Sequence, residues 1–267
     1  MNSAILFIHG MFTTPRFWQP WVHFFSLRGY HCLAPSWPFH DGEPAQLRER
    51  GVPGLGDLRL DAVIETFADY ATRLGPERPV IIGHSLGGLI AQVLISRGLG
   101  RAAVCISSMA PNRMLSLDWH ILRAGAAMVN PLAGDPVYLP SPAFFREAFA
   151  NRLTDAEADA LYREHVVPES RNILRDALGR SGQLDLTRPH APMLFVGGTR
   201  DHVVPEKLNK RLVDAYSDPE SVTDFHEFDG RGHLICHEPG WQTVAAFVES
   251  WLTARVAGQA PIGFMIR

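Results

Sequence analysis

A short glycine-rich segment contains the residue best suited to chemistry. Ser85 lies in Gly-His-Ser-Leu-Gly-Gly at residues 83–88, directly after the apolar run 80–82 and before the helix-compatible run 89–96. A strand, a tight turn and a helix in this order present a serine as a nucleophile. Small neighbours are needed because the backbone of such a turn is strained. The segment therefore predicts a nucleophilic Ser85, and the alternative is a glycine-rich turn with an unreactive serine.

Two later loops supply the partners that a serine nucleophile needs. A serine hydroxyl requires a histidine to take its proton and a carboxylate to orient that histidine. His233 follows a predicted strand in a Gly-Arg-Gly-His turn, and Asp201 follows another in the loop 197–205. Ligand sites gather where parallel strands end. Asp118 and Asp229 are alternative carboxylates, but Asp118 lies far into an insertion and Asp229 is close enough to His233 to support its turn. Asp201 is the first choice.

Other reactive side chains give weaker hypotheses. The cysteines lie outside glycine-flanked turns and are expected to be reduced residues, mostly of the core: Cys32, Cys105 and Cys236. A metal site is an alternative use of four residues, but they lack the compact helical spacing of a zinc site: His226, Asp229, His233 and His237. We predict no metal and no organic cofactor. Four histidines are expected to brace loops by hydrogen bonds or to line the edge of the site: His9, His84, His202 and His237.

The surrounding elements alternate as in an α/β protein. Short apolar runs predict strands at residues 4–9, 31–34, 80–82, 102–107, 193–196 and 223–228. Amphipathic stretches between them predict helices, including 17–27 and 60–74. This pattern predicts an α/β fold with an open, mainly parallel sheet of about six strands flanked by helices.

The alternation stops after residue 107 and resumes near residue 191. The intervening segment contains helical patterns at 117–129, 141–151, 155–165 and 169–178 but no convincing strand. The third of these opens with a capping signature at 154–157. We predict a core formed by residues 1–107 and 191–255, an inserted helical cap at 108–190, and a peripheral tail at 256–267.

Composition excludes several classes of partner. The chain has 267 residues, of which 46% are hydrophobic, and a formal charge of only −3. The interspersed charges do not form the basic field that nucleic acids require. No run approaches the roughly twenty apolar residues of a membrane span, and the first residues leave no room for a leader peptide. We therefore expect a cytoplasmic protein with a small-molecule partner, neither nucleic acid nor membrane, and make no prediction of its oligomeric state.

With these motifs, the chain resembles the α/β-hydrolase family from residue 5 to about residue 252. The order Ser, Asp, His matches the family. The Ile-His-Gly-Met-Phe segment at 8–12 resembles the loop after the family's third strand, which implies an oxyanion hole formed by the backbone N–H groups of Met11 and Leu86. One departure is that the two antiparallel strands that often precede this strand are missing. Dehalogenases and epoxide hydrolases of this fold carry aspartate where this chain has Ser85, so those activities are excluded.

The resemblance implies a serine hydrolase of carboxylic esters that forms an acyl-enzyme. Thioesterase, lactonase, amidase, carbon–carbon bond hydrolase and perhydrolase activities would use the same residues. A slow-turnover receptor and a lyase with His233 as the base also stay open. Large apolar side chains in the cap predict uncharged substrates, although Arg171 could receive a carboxylate. The expected substrate-binding residues are Phe12, Met109, Trp119, Phe145 and Val203.

Overall fold

The structure is a computed structural model that describes residues 4–114 and 135–256. The strands are β1 (Ala4–Ile8), β2 (His31–Leu33), β3 (Val80–His84), β4 (Ala102–Ile106), β5 (Val137–Tyr138), β6 (Glu169–Ser170), β7 (Met193–Gly198) and β8 (Thr223–Phe228). The α-helices are α1 (Gln19–Ser26), α2 (Pro44–Arg50), α3 (Leu60–Arg73), α4 (Leu86–Ser96), α5 (Pro142–Ala148), α6 (Asp155–His165), α7 (Arg171–Ala177), α8 (Glu206–Ala215) and α9 (Trp241–Val256).

Six parallel strands form the main sheet in the order β2-β1-β3-β4-β7-β8. The chain first adds β2 on one side of β1 and then places β3 on the other side. This reversal leaves a crevice at the carboxyl ends of β1 and β3, which is where ligands bind in open α/β sheets. The predicted α/β fold is confirmed, and five of the six predicted strands change by one or two residues at a boundary.

Side chains of the central strands alternate between two apolar layers. In β1, Ile5 and Phe7 enter the cluster that contains the aromatic residues of α1, whereas Leu6 and Ile8 enter the cluster beneath α3 and α4. All four are fully buried. Burial of both faces explains why these strands are continuous apolar runs rather than alternating ones.

The first predicted helix is divided in the structure. Residues 15–18 form a 3₁₀ turn and α1 begins only at Gln19. A proline lies in the first turn of each piece, at Pro15 and Pro20, where the missing N–H has no helical partner to lose. Helix α2 was not predicted, although Pro44 marks its start in the same way.

The segment predicted as a cap contains helices and a small sheet. The helix at Asp155–His165 has the expected bounds, and its capping box between Thr154 and Glu157 is present. The expectation of no strand is wrong, because Val137–Tyr138 and Glu169–Ser170 pair as an antiparallel ladder. The last predicted helix consequently begins at Arg171, with the Ser170 side chain as its N-cap. The predicted helix 117–129 lies outside the described residues.

Several contacts join this segment to the core. The Arg48 guanidinium donates to the carbonyls of Arg163 and Val166 at the end of α6. The Val167 N–H donates to the Phe12 carbonyl at 2.9 Å, next to the loop that follows β1. None of the described helices is long and apolar enough to cross a membrane.

Candidate active site

Ser85 stands at the turn between β3 and α4, and its backbone is in a strained conformation. Its φ and ψ angles are 56° and −119°, a combination that non-glycine residues rarely adopt. A hydrogen bond of 2.9 Å from the Ser85 N–H to the Ile106 carbonyl holds the turn against β4. The side chain is only partly buried, so the hydroxyl can reach the crevice.

The glycines around Ser85 are required by the packing of this turn. A Cβ atom at Gly83 would lie 2.1 Å from the Gly87 carbonyl oxygen, and one at Gly87 would lie 2.2 Å from the Ile8 carbonyl oxygen. Both distances are far below contact. The glycines therefore let α4 approach β1 and β3 closely enough to form the turn that presents Ser85.

His233 lies in the loop after β8, and its imidazole faces Ser85. The His233 Nε2 atom is 3.1 Å from the Ser85 Oγ atom. The imidazole is almost completely buried. The loop is shaped by Gly230, whose φ is 73°, and by the Gly232 N–H, which donates to the Glu238 carboxylate at 2.8 Å. The structure thus brings the predicted base within hydrogen-bonding distance of the predicted nucleophile.

Asp201 lies after β7 and contacts the far side of the same imidazole. Its two carboxylate oxygens are 2.9 and 3.1 Å from His233 Nδ1. The N–H groups of Val203 and Val204 each donate to Asp201 Oδ1 at 2.8 Å. A carboxylate only accepts, so Nδ1 carries a proton and Nε2 is left to accept one from Ser85.

The charge of Asp201 is maintained despite its burial. Burial alone would raise the pKa of Asp201, but the His233 imidazole and the two backbone N–H donors outweigh it and hold that pKa below its ordinary value. The carboxylate is therefore ionised at neutral pH and can stabilise a positive charge on His233.

The alternative carboxylates do not share this position. Asp229 accepts a hydrogen bond of 3.0 Å from the Thr199 hydroxyl, which in turn accepts from the Gly230 N–H at 2.8 Å. Asp229 thus supports the turn of the histidine loop, as its sequence position indicated. Asp118 lies outside the described residues.

The predicted oxyanion donors belong to the two turns that meet at Ser85. Leu86 is the first residue of α4, so its N–H has no carbonyl partner within the helix. Met11 follows Gly10, where a Cβ atom would lie 3.1 Å from the Ser85 Cβ atom. The Thr13 hydroxyl donates to the Gly10 carbonyl at 3.0 Å and steadies this loop.

The predicted substrate-binding residues are placed in different ways. Phe12 and Phe145 are buried against the Phe149 ring, and Phe12 also meets Tyr138 edge-on. Met109 is partly buried and its N–H donates to the Ser85 carbonyl at 3.0 Å. Trp119 lies outside the described residues.

Phe149 is not among the predicted substrate-binding residues, yet its ring centroid lies 5.7 Å from that of His233. Its position among the large apolar residues of the predicted cap was the available signal. Arg171 is nearly buried, donates to the Asp135 carbonyl at 2.9 Å and lies over the Tyr138 ring. The neighbouring Glu169 is also buried, and its carboxylate contacts His40 at 3.0 Å.

The remaining reactive groups are not arranged for catalysis. Within the described residues, no group of three or more His, Cys, Asp or Glu side chains is placed to hold a metal ion. Burial raises the pKa of the Cys105 and Cys236 thiols, which disfavours the reactive thiolate. His237 is partly buried, and its Nε2 donates to the Phe17 carbonyl. It braces the loop rather than facing the nucleophile.

Comparison with known proteins shows the family of this chain. The alpha/beta hydrolase family profile matches residues 5–247 of the chain. This chain is an α/β-hydrolase. The hydrolase is 26% identical to a monoacylglycerol lipase of Mycolicibacterium smegmatis over 78% of this chain and 76% of that protein. It is 29% identical to a pimeloyl-[acyl-carrier protein] methyl ester esterase of Pectobacterium atrosepticum, over 83% of this chain and 85% of that protein.

Solved structures agree on the fold of the hydrolase. The monoacylglycerol lipase of Paleococcus ferrophilus superimposes with a TM-score of 0.68 at 19% identity, covering 96% of this chain and 97% of that one. An extracellular α/β-hydrolase from a Paenibacillus species gives a TM-score of 0.70 at 17% identity, covering 93% and 98%. The family places the hydrolase among enzymes, and both sequence relatives act on esters by name.

Proposed function

We propose that this α/β-hydrolase cleaves carboxylic esters through Ser85, His233 and Asp201. The observation that carries the proposal is the pair of consecutive hydrogen-bond contacts, Ser85 Oγ to His233 Nε2 at 3.1 Å and His233 Nδ1 to Asp201 at 2.9 Å. This order of a nucleophile, a base and an orienting acid is the one that activates a serine. The relatives named as a lipase and a methyl ester esterase support an ester as the substrate.

Acylation begins when His233 Nε2 takes the proton of Ser85 Oγ as that oxygen bonds to the ester carbonyl carbon. The carbonyl π electrons move to its oxygen, and Met11 and Leu86 would stabilise that negative charge through their N–H groups. When the tetrahedral adduct collapses, the alkoxy group departs and takes the proton from His233. The products of this stage are a free alcohol and an ester between Ser85 and the acyl group.

Deacylation repeats the same proton transfers with water. His233 Nε2 removes a proton from water as the water oxygen bonds to the acyl carbon. The adduct then releases Ser85 Oγ, which recovers its proton from His233, and the carboxylic acid leaves. Asp201 stays ionised throughout and stabilises the imidazolium twice in each cycle.

The acyl group would bind beneath residues 108–190, which we propose act as a cap. The Phe149 ring borders His233 on this side, and the Phe12 ring packs against Phe149. Burying an uncompensated charge against such rings is unfavourable. We therefore propose a small, uncharged acyl substrate. We also propose a cytoplasmic location, which the three unpaired cysteines support.

Steady-state hydrolysis of an ester panel tests this function. The wild-type protein should release carboxylic acid over many turnovers from neutral short and medium acyl esters, and more slowly from carboxylated counterparts. Ser85→Ala should lower kcat/KM by at least about a thousandfold, because no nucleophile is left. Ser96→Ala is the matched control, since that exposed hydroxyl ends the same helix and should change kcat/KM less than twofold. Binding without repeated turnover would favour a receptor, and full activity in Ser85→Ala would exclude the mechanism.

A further inference from the structure

His84 precedes the nucleophile and has no part in the proton transfers described above. It is the last residue of β3 and is almost completely buried. Its Nε2 atom lies 2.8 Å from the carbonyl oxygen of His233. A carbonyl can only accept, so His84 Nε2 carries the proton and donates. The residue before the nucleophile is thus bonded directly to the main chain of the catalytic histidine.

The surroundings of His84 keep this donor neutral. Burial, and secondarily the nearby His233, lower the pKa of His84 to about 3. Within the described part of the chain, His84 Nδ1 has no hydrogen-bond partner, so protonating it would bury an unpaired N–H. The other titratable groups that face it are Asp201 and His237, and the Phe17 ring stacks on it at 5.0 Å. His84 therefore donates without placing a second positive charge beside His233.

Other hydrogen bonds among the described residues hold the histidine loop on either side of His233, but these do not involve the His233 main chain. Upstream, the Arg200 N–H donates to the Arg231 carbonyl at 2.8 Å, and Gly232 is held by Glu238. Downstream, the Leu234 carbonyl accepts from the N–H groups of residues 237 and 238. The bond from His84 is different because it joins the loop to the turn that carries Ser85.

We propose that His84 is a positioning residue that tethers the main chain of His233 to the nucleophile turn during the acyl-enzyme stage. The inference rests on the proposed function. In the resting enzyme, the Ser85 hydroxyl also links the two loops by donating to His233. Once Ser85 Oγ is acylated it has no proton to donate, and that link is lost. The His84 bond persists and keeps His233 Nε2 in reach of the attacking water.

The tether predicts that its loss slows deacylation more than acylation. His84→Leu removes the N–H donor and fills the site with an apolar side chain of similar size. His84→Gln keeps an amide N–H at about the position of Nε2 and should restore the contact. His165→Leu is the matched control, because His165 is another buried histidine beside Phe17 whose described contacts do not include His233.

The experiment is pre-steady-state hydrolysis of p-nitrophenyl butyrate, with the burst rate reporting acylation and the linear phase reporting deacylation. His84→Leu should slow the linear phase at least tenfold with a smaller change in the burst rate, and intact-mass spectra should show accumulated butyryl-enzyme. His84→Gln should recover most of the linear rate, and His165→Leu should match wild type. If His84→Leu does not fold, His84→Asn replaces it, because its shorter amide falls short of the His233 carbonyl.

Two groups of results would overturn the tether. One is a linear rate that is unchanged in His84→Leu or His84→Asn. The other is a slow linear phase that persists in His84→Gln, or an equally slow linear phase in His165→Leu. Failure of the proposed function is recognised separately, because wild-type protein would then show no butyryl-enzyme and no labelling of Ser85 by a fluorophosphonate.

Discussion

In the proposed mechanism, the orientation of a single imidazole decides whether Ser85 can react. The His233 ring is fixed by Asp201 on one side, and Asp201 is fixed by the N–H groups of Val203 and Val204 at 2.8 Å. These donors leave the carboxylate few alternative positions. The hydrogen bonds to the Asp201 carboxylate therefore serve two purposes. They hold the His233 ring in its productive tautomer, and they keep Asp201 ionised.

Replacing the acid should disable the base without removing it. In Asp201→Asn the amide can donate to His233 Nδ1, which moves the imidazole proton to Nε2 and leaves no acceptor for the Ser85 proton. We expect kcat/KM to fall by about ten-thousandfold, as in other triads. Asp229→Asn is the control, since Asp229 accepts from Thr199 and should lose less than about tenfold. Comparable losses in the two variants, measured with one ester at pH 7.5, would refute the assignment of Asp201.

At the scale of elements, a buried ion pair joins the core to the predicted cap. His40 follows β2 and lies 3.0 Å from Glu169 in β6, with side-chain exposures of 1% and 0%. Burial alone would lower the pKa of His40, but Glu169 raises it above its ordinary value. The His40 ring also lies within ring-contact distance of His9 and Trp37, beside the loop that leads to Met11. The pair thus links β6 to the candidate oxyanion loop.

Removing one member of this pair should leave the other buried without its charged partner. His40→Leu should reduce the free energy of unfolding by about 3–5 kcal/mol, because the buried Glu169 carboxylate would lose its imidazolium partner and keep the Ser170 N–H donor. His40→Leu/Glu169→Leu should recover part of that loss. Arg73→Ala is the control, since its exposed pair with Asp69 should contribute about 0–0.5 kcal/mol. Urea unfolding at pH 6 measures the stability of all three variants. A His40→Leu protein as stable as wild type would contradict a stabilising ion pair between His40 and Glu169.

The pH dependence of this contribution has a definite sign. A histidine whose pKa is raised by folding stabilises the protein fully below its ordinary pKa of 6.5 and loses that effect as pH rises through the raised value. The difference in unfolding free energy between wild type and His40→Leu should therefore shrink at alkaline pH.

What the sequence could predict at this scale depends on how local each signal is. The strands and the turns with Ser85, Asp201 and His233 carry local signals, namely apolar runs, glycines and residue order. The β5–β6 ladder carries none, because its strands have two residues each and are far apart in the chain. The contact between His40 and Glu169 joins residues that are still farther apart in the chain, and only the folded core brings the two together.

At the scale of the whole molecule, folding keeps four histidines neutral. Burial is the main cause that lowers the pKa of His9, His84 and His165 to about 3 and of His237 to about 4. In the unfolded chain these groups would take up protons near pH 6.5. Between about pH 6.5 and 4 the unfolded state therefore binds more protons than the folded one, and stability falls as pH falls.

The slope of this acid destabilisation can be measured. Each histidine contributes up to about 1.4 kcal/mol per pH unit within that range. Urea unfolding at pH 7.5, 6.0 and 5.0 should show a loss that steepens toward acid, and His165→Leu should give a flatter slope than wild type. A stability that is constant or rises between pH 7.5 and 5.0 would contradict the neutral state of these side chains. The analogous carboxylate effect of Asp201 belongs to still lower pH, because its pKa is depressed.

Covalent labelling tests the central claim, that Ser85 is the activated nucleophile of this hydrolase. A fluorophosphonate should add one phosphonyl group to wild-type protein, displace fluoride and map by peptide mass spectrometry to Ser85. Ser85→Ala should stay unlabelled, and Asp201→Asn should be labelled far more slowly although its serine is intact. Labelling of another residue, or equal labelling of wild type and Ser85→Ala, would contradict the account.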